Sequence, residues 1–114
     1  MKRIALVFTF ALFALPVLAG QNTLLWADAS DNETAFNIER KVGACTAISS
    51  FSEIATVGAN VTTYVDLAVT EGVTYCYRVR ASGPGGTFSA YSNTADRLVP
   101  FTAPAAPTGL TVGP

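Results

Sequence analysis

Apolar and polar positions alternate in short runs along most of this chain. In Ala35-Phe36-Asn37-Ile38-Glu39-Arg40-Lys41, Phe36 and Ile38 fall on one side and Asn37 and Glu39 on the other. That period of two marks a half-buried strand. In Tyr75-Cys76-Tyr77-Arg78-Val79-Arg80-Ala81, Tyr75, Tyr77, Val79 and Ala81 point one way and Cys76, Arg78 and Arg80 the other. The arginines require water, so the Tyr/Val set is assigned to the core and Cys76 to an outer face. Thr23–Ala27, Ser52–Val57, Thr62–Leu67 and Ser89–Leu98 complete the strands, with the second run above spanning Thr74–Ala81. Turn-forming clusters separate them: Asp28-Ala29-Ser30-Asp31-Asn32, Gly58-Ala59-Asn60, Glu71-Gly72 and Gly83-Pro84-Gly85-Gly86. After the first 19 residues no stretch sustains a helical period, and short strands at regular spacing predict an all-β sandwich.

The first 19 residues follow another logic. Met1-Lys2-Arg3 is basic, Ile4–Leu18 is apolar, and Val17-Leu18-Ala19 precedes Gly20 with small or β-branched residues at the −3 and −1 positions. This is the pattern of a cleaved export signal, with a retained anchor as the alternative. The run falls short of the about 20 apolar residues a membrane span needs. The expected organisation is a signal peptide at 1–19, a domain at 20–99 and a linker with tail at 100–114, with no membrane span after cleavage. The whole chain has 114 residues, 50% hydrophobic, with a formal net charge of −1. Loss of Lys2 and Arg3 leaves 5 basic against 8 acidic side chains, a mildly acidic exported domain. Such a balance carries no electrostatic footprint for nucleic acid. The chain has no histidine, which excludes an imidazole base, a His metal ligand and any Ser-His or Cys-His pair.

Cys45 and Cys76, 31 positions apart, are an even pair in a chain bound for export. A disulfide is the default reading. Closing such a loop is worth at most about 3.5–4 kcal/mol by loop entropy. The alternatives, a redox pair or a metal site, lack a CxxC, a histidine and a third cysteine.

Several strings together resemble the fibronectin type III domain, in its bacterial, exported form. They are Leu25-Trp26, Phe36-x-Ile38-Glu39-Arg40, Tyr64-x-Asp66, Gly72-Val73-Thr74-Tyr75-x-Tyr77-Arg78-Val79-Arg80-Ala81 and Ser92-Asn93, covering Thr23 to Leu98. The resemblance implies an immunoglobulin-like β-sandwich of two antiparallel sheets, A-B-E against C-C'-F-G. It implies that Trp26 is the core residue of strand B, with Phe36, Ile38, Tyr64, Tyr75, Tyr77 and Val79 in the structural core. It implies that Tyr75 is a corner tyrosine whose hydroxyl bonds backbone near Val69. Cys45 and Cys76 resemble a disulfide common in the bacterial form.

One departure from the family pattern matters. Members begin with a Pro-containing strand A before the tryptophan strand, whereas here only Gln21-Asn22 and the signal remnant precede it. A strand-A-like segment stands at the other end, in Pro104-Ala105-Ala106-Pro107-Thr108-Gly109-Leu110-Thr111-Val112, and the sequence stops at Pro114. Three arrangements are open. Leu110 and Val112 fill the vacant edge of their own molecule, fill that of a neighbour by strand donation, or belong to a longer multi-domain protein. A connector at Pro100–Ala106 spans at most roughly 25 Å, a tight return for the first.

No catalytic, cofactor-binding or metal residues are assigned. Asp28, Asp31 and Glu33 share a loop but lack the glycine and spacing of a calcium-binding loop, so they read as turn formers. Ser82–Gly86 lies between strands rather than before a helix, which argues against phosphate binding. Arg78 and Arg80, with Arg40 and Glu39 near across the sheet, read either as cross-strand pairing or as a patch for an acidic glycan or protein. Phe88 and Tyr91 read as sheet-edge cover or as rings for carbohydrate stacking. The expected function is non-catalytic: an exported spacer or a protein- or carbohydrate-binding scaffold at the cell surface or outside the cell, requiring no cofactor. The alternatives are a subunit that self-associates through residues 104–112, and an accessory fragment of a larger secreted hydrolase.

Overall fold

The computed structural model describes the backbone of Ala5–Phe8 and all of residues 20–114. The basic Met1–Arg3 segment and the cleavage site read at Ala19 lie outside the described residues. The strands are β1 (Ala5–Phe8), β2 (Asn22–Ala27), β3 (Ala35–Val42), β4 (Ser52–Gly58), β5 (Thr63–Asp66), β6 (Thr74–Ser82) and β7 (Ala95–Leu98). They form two sheets, β1-β2-β5 and β4-β3-β6-β7, with every pairing antiparallel. This is the all-β sandwich the alternation predicts.

Alternation decides which side chains reach the core, although Asn37, Glu39, Lys41 and Cys76 on the other face are buried as well. From β3 and β6, Phe36, Ile38, Tyr77 and Val79 are fully enclosed, with Tyr75 and Ala81 nearly so. They meet Leu24 and Trp26 of β2 and Val99 beyond β7. Trp26 and Phe36 pack edge to face at 5.7 Å. Tyr64 is half-buried against this cluster. Each fully buried aliphatic side chain contributes about 1.5–3 kcal/mol.

The place beside β2 that the sequence leaves without a conventional first strand is taken by β1. Its register sets Leu6 opposite Trp26 and Phe8 opposite Leu24. An apolar run suited to a strand has found the one edge where the backbone of β2 lacks a partner.

The last strand is shorter than the Ser89–Leu98 run predicts, because β7 begins only at Ala95. Serine hydroxyls explain the difference. Ser92 Oγ accepts from the Val79 amide at 3.0 Å, and Ser89 Oγ from the Ala81 amide at 2.8 Å. Meanwhile the Ser89 and Ser92 amides donate to the carbonyls of Ala81 and Val79. The side chains stand in for the carbonyls of a regular strand.

A polar network joins the two sheets at one pole. Asp66 is buried, and its Oδ2 accepts from the Tyr77 hydroxyl at 2.6 Å and from Arg40 Nη1 at 2.9 Å. Asn22 Nδ2 donates to the Tyr77 oxygen at 3.0 Å, and Arg97 donates to Asn22 Oδ1 at 2.8 Å. The network ties β2 and β5 to β3, β6 and β7. Burial, reinforced by the hydrogen bond to Asp66, pushes the Tyr77 hydroxyl pKa far above the usual phenolic range. Arg40, expected near Arg78 and Arg80, lies instead on the inner side of β3. It pairs in register with Tyr77, on the side of Phe36 and Ile38, and the Asp66 carboxylate makes that inner position tolerable.

Candidate functional site

The outer face of the four-stranded sheet carries the densest group of charged and aromatic side chains among the described residues. Register places Glu39 on β3 directly opposite Arg78 on β6. Arg78 donates to Glu39 Oε1 from Nε at 2.9 Å, and Nη2 lies 2.7 Å from the same oxygen. Tyr91 donates to the other oxygen, Oε2, at 2.7 Å.

Rings separate the cations. The Arg78 guanidinium lies 4.1 Å from the Phe51 ring centre and 3.7 Å from that of Tyr91. Arg80 lies 4.8 Å from Tyr91 and 3.8 Å from Phe88. Lys41 Nζ lies 5.1 Å from Phe51 and donates to the Cys45 and Ala47 carbonyls at 2.9 and 2.7 Å. The order across the face is Lys41, Phe51, Arg78, Tyr91, Arg80, Phe88. Planar guanidinium groups favour such stacking, each contact being worth about 0.5–2 kcal/mol.

Burial pushes the Glu39 carboxyl up, but hydrogen bonds from Tyr91 and Arg78 and the charges of both arginines outweigh it. The group is held below the usual carboxylate range. The same bond to Glu39 raises Tyr91.

Cys76 lies on this face too, fully buried, and is bonded to Cys45 across a Cα separation of 5.1 Å. Asp96 of β7 accepts from the Cys45 amide at 2.9 Å, so the 45–50 loop is held down over the sheet. Lys41 and Phe51, which residue-by-residue reading passed over, belong to the site. The signal for Lys41 was its place on the outer side of β3 with Glu39. Phe51, outside the strands, had none.

Other sequence candidates do not join this group. In the 28–33 loop, Asp28 Oδ1 accepts from the Ser30 amide and Glu33 Oε2 from the Ser30 hydroxyl, which are turn bonds. Among the described residues no three carboxylate, cysteine or histidine side chains are placed to hold a metal. Pro84–Gly86 forms a single 3-10 turn that leads on to the Thr87–Ser92 segment. Tyr75 accepts at its hydroxyl from the Thr70 amide at 3.0 Å, closing the corner between β5 and β6.

The tail is the second unusual feature. Val99 is buried, whereas Leu110 and Val112 are 94% and 95% exposed. The Phe101 ring lies over Gly72, where a Cβ would come within 2.3 Å of it, and the φ of 80° at Gly72 favours glycine there.

No family model matches the chain, and no curated protein matches it. Solved structures do. Pectate lyase Pel3 from Pectobacterium carotovorum aligns at 21% identity and a TM-score of 0.66, over 92% of this chain and 28% of that one. Pectate lyase PelI from Erwinia chrysanthemi, solved in complex with tetragalacturonic acid, aligns at 17% and 0.65, over 82% and 28%. The fibronectin type III domain of human collagen alpha-1(XX) aligns at 19% and 0.59, over 99% of this chain and 93% of that domain.

The fold is that of a fibronectin type III domain. In its terms β1, β2 and β5 stand as A, B and E, and β4, β3, β6 and β7 as C', C, F and G. The chain spans about 28% of the length of the two pectate lyases, so the likeness covers only a part of those enzymes.

Proposed function

We propose that this chain is an exported, non-catalytic fibronectin type III-like module that serves outside the cell as a rigid spacer and scaffold. The observation that carries the reading is how the outer face uses its own groups. Both arginines are stacked between rings, and Glu39 takes Arg78 and Tyr91. Ring faces already covered by guanidinium groups are poor platforms for a sugar. The stack instead stiffens the sheet and fixes the 88–92 segment, as a scaffold requires. The signal-like N-terminus and the Cys45–Cys76 bond support export into an oxidising compartment.

The test is expression of the full chain in a host with a working export pathway. The expected product lies outside the cytoplasm, begins at Gly20 by intact mass and has no free thiol. Recovery of the uncleaved, reduced chain from the cytoplasm overturns the proposal.

The pectate lyase likenesses favour a second reading, an accessory module beside a polysaccharide-active catalytic domain. Retardation of the mature chain in a gel containing polygalacturonate, abolished by Arg80→Ala, would replace the spacer reading with that one.

A further inference from the structure

We infer that the free edge of β2 in the mature domain takes Thr108–Val112 of a second copy as its missing strand, joining copies head to tail. The inference rests on the export reading above, because β1 lies within the segment that cleavage removes. With residues 1–19 gone, the β1 side of β2 has no partner, while β5 still holds the other side. Leu24 and Trp26, two of the core residues, then lie at an open edge. An open edge beside buried apolar side chains is a template for an added strand.

The tail fits that template in register and pattern. In β1 the positions opposite Trp26 and Leu24 are two apart. Leu110 and Val112 are also two apart, with Thr111 between. Setting Leu110 opposite Trp26 places Val112 opposite Leu24 and Thr111 opposite the exposed Leu25. Both apolar tail side chains now stand in water, free for such a role.

Direction selects a second copy over the same one. β7 leaves the sandwich at the Asn22 end of β2, since Arg97 donates to the Gln21 carbonyl and to Asn22. A strand antiparallel to β2 must enter from the Ala27 end. The base of the tail is also anchored at the corner before β6. The Gly72 amide donates to the Val99 carbonyl at 2.7 Å, Phe101 lies on Gly72, and Thr102 bonds Glu71. To reach its own slot it must leave this anchor, run the length of β2, about 17 Å at strand rise, and reverse. A neighbour stacked in line presents its Ala27 end to the tail, in the required direction and without a reversal. Such contacts are heterologous and build a linear array.

The exported chain is recovered and studied by intact mass and by light scattering after gel filtration over a concentration series. The expected result is the Gly20–Pro114 mass together with oligomers that grow with concentration. Leu110→Asp/Val112→Asp is cleaved before Gly20 like the wild type, keeps the disulfide and the β spectrum, and gives one monomer mass. Mixing Leu25→Cys with Thr111→Cys chains yields a dimer cross-linked between those two positions. A cleaved wild-type chain that stays monomeric at all concentrations overturns the inference while leaving export intact. So does assembly that the Asp double variant leaves unchanged. A cross-link closing within one Leu25→Cys/Thr111→Cys chain shows the tail in its own slot and overturns it as well. Recovery with residues 1–19 attached overturns both this inference and the export reading.

Discussion

Asp66 shows how much one side chain decides in a small sandwich. It is buried, and it gathers the Tyr77 hydroxyl, the Arg40 guanidinium and, through Oδ1, the Ala68 amide. Asp66→Asn keeps the shape but removes the charge that Arg40 answers, leaving a largely covered cation with only the Ala68 carbonyl and the Tyr75 ring. The expected loss is about 2–3 kcal/mol in urea unfolding, with Tyr77→Phe costing about 1–2 kcal/mol. A loss below about 0.5 kcal/mol for Asp66→Asn, the range of a surface change, would show that the network does not clamp the sheets. Glu39 makes the matching prediction for pH. Its folded carboxyl is held below the ordinary value of 4.5, so its contribution is complete above that value. The contribution is lost as the pH falls through the folded pKa. Thermal unfolding from pH 6 down to pH 3, at about one-unit steps, should show Glu39→Gln less stable than wild type at the top and converging with it at the bottom. A constant gap across the series would assign its role to packing.

The 88–92 segment between β6 and β7 is where sequence pattern and observed element part company. Ser89 to Leu98 has strand-forming residues, yet serine side chains serve the β6 amides in its first half. The same segment brings Phe88 and Tyr91 onto the arginines of β6. Ser92→Ala leaves the Val79 amide without its acceptor in a buried setting, a cost of about 1–2 kcal/mol. Hydrogen exchange at Val79 should quicken while exchange at Ile38 holds closer to the global rate. Equal acceleration at both sites would mean that the segment is not a separate element. Alternation across β3 and β6 was enough to separate core from outer face. It could not show that a serine hydroxyl would replace a carbonyl, because that depends on how far the segment stands from β6.

At the scale of the molecule, two features hold the outer wall: the Cys45–Cys76 bond and the cation–ring stack beside it. Replacing both cysteines by serine should lower stability by up to about 3.5 kcal/mol. Near-UV circular dichroism of the Phe51 and Tyr91 surroundings should weaken together with it, since the 45–50 loop leads straight into Phe51. An unchanged aromatic spectrum would separate the two features.

The sequence by itself determined the local choices. The period of two in β3 and β6 assigned their faces, the Gly, Asn and Asp clusters placed the turns, and the strings around Trp26 and Tyr75 pointed to the fold. It also exposed the strand-like Leu110–Val112 pattern at the far end. Local pattern reports only which residues one strand sets on each side. What lies against those residues is settled by register between strands distant in the chain. Only the tertiary structure set Asp66 against Arg40 and laid Phe51, Tyr91 and Phe88 between the cations. The same packing set β1 on the edge of β2 and left Leu110 and Val112 in solvent. Each of these depends on which backbone was left unpaired, and on which buried charge needed a partner, once the sheets had closed on one another.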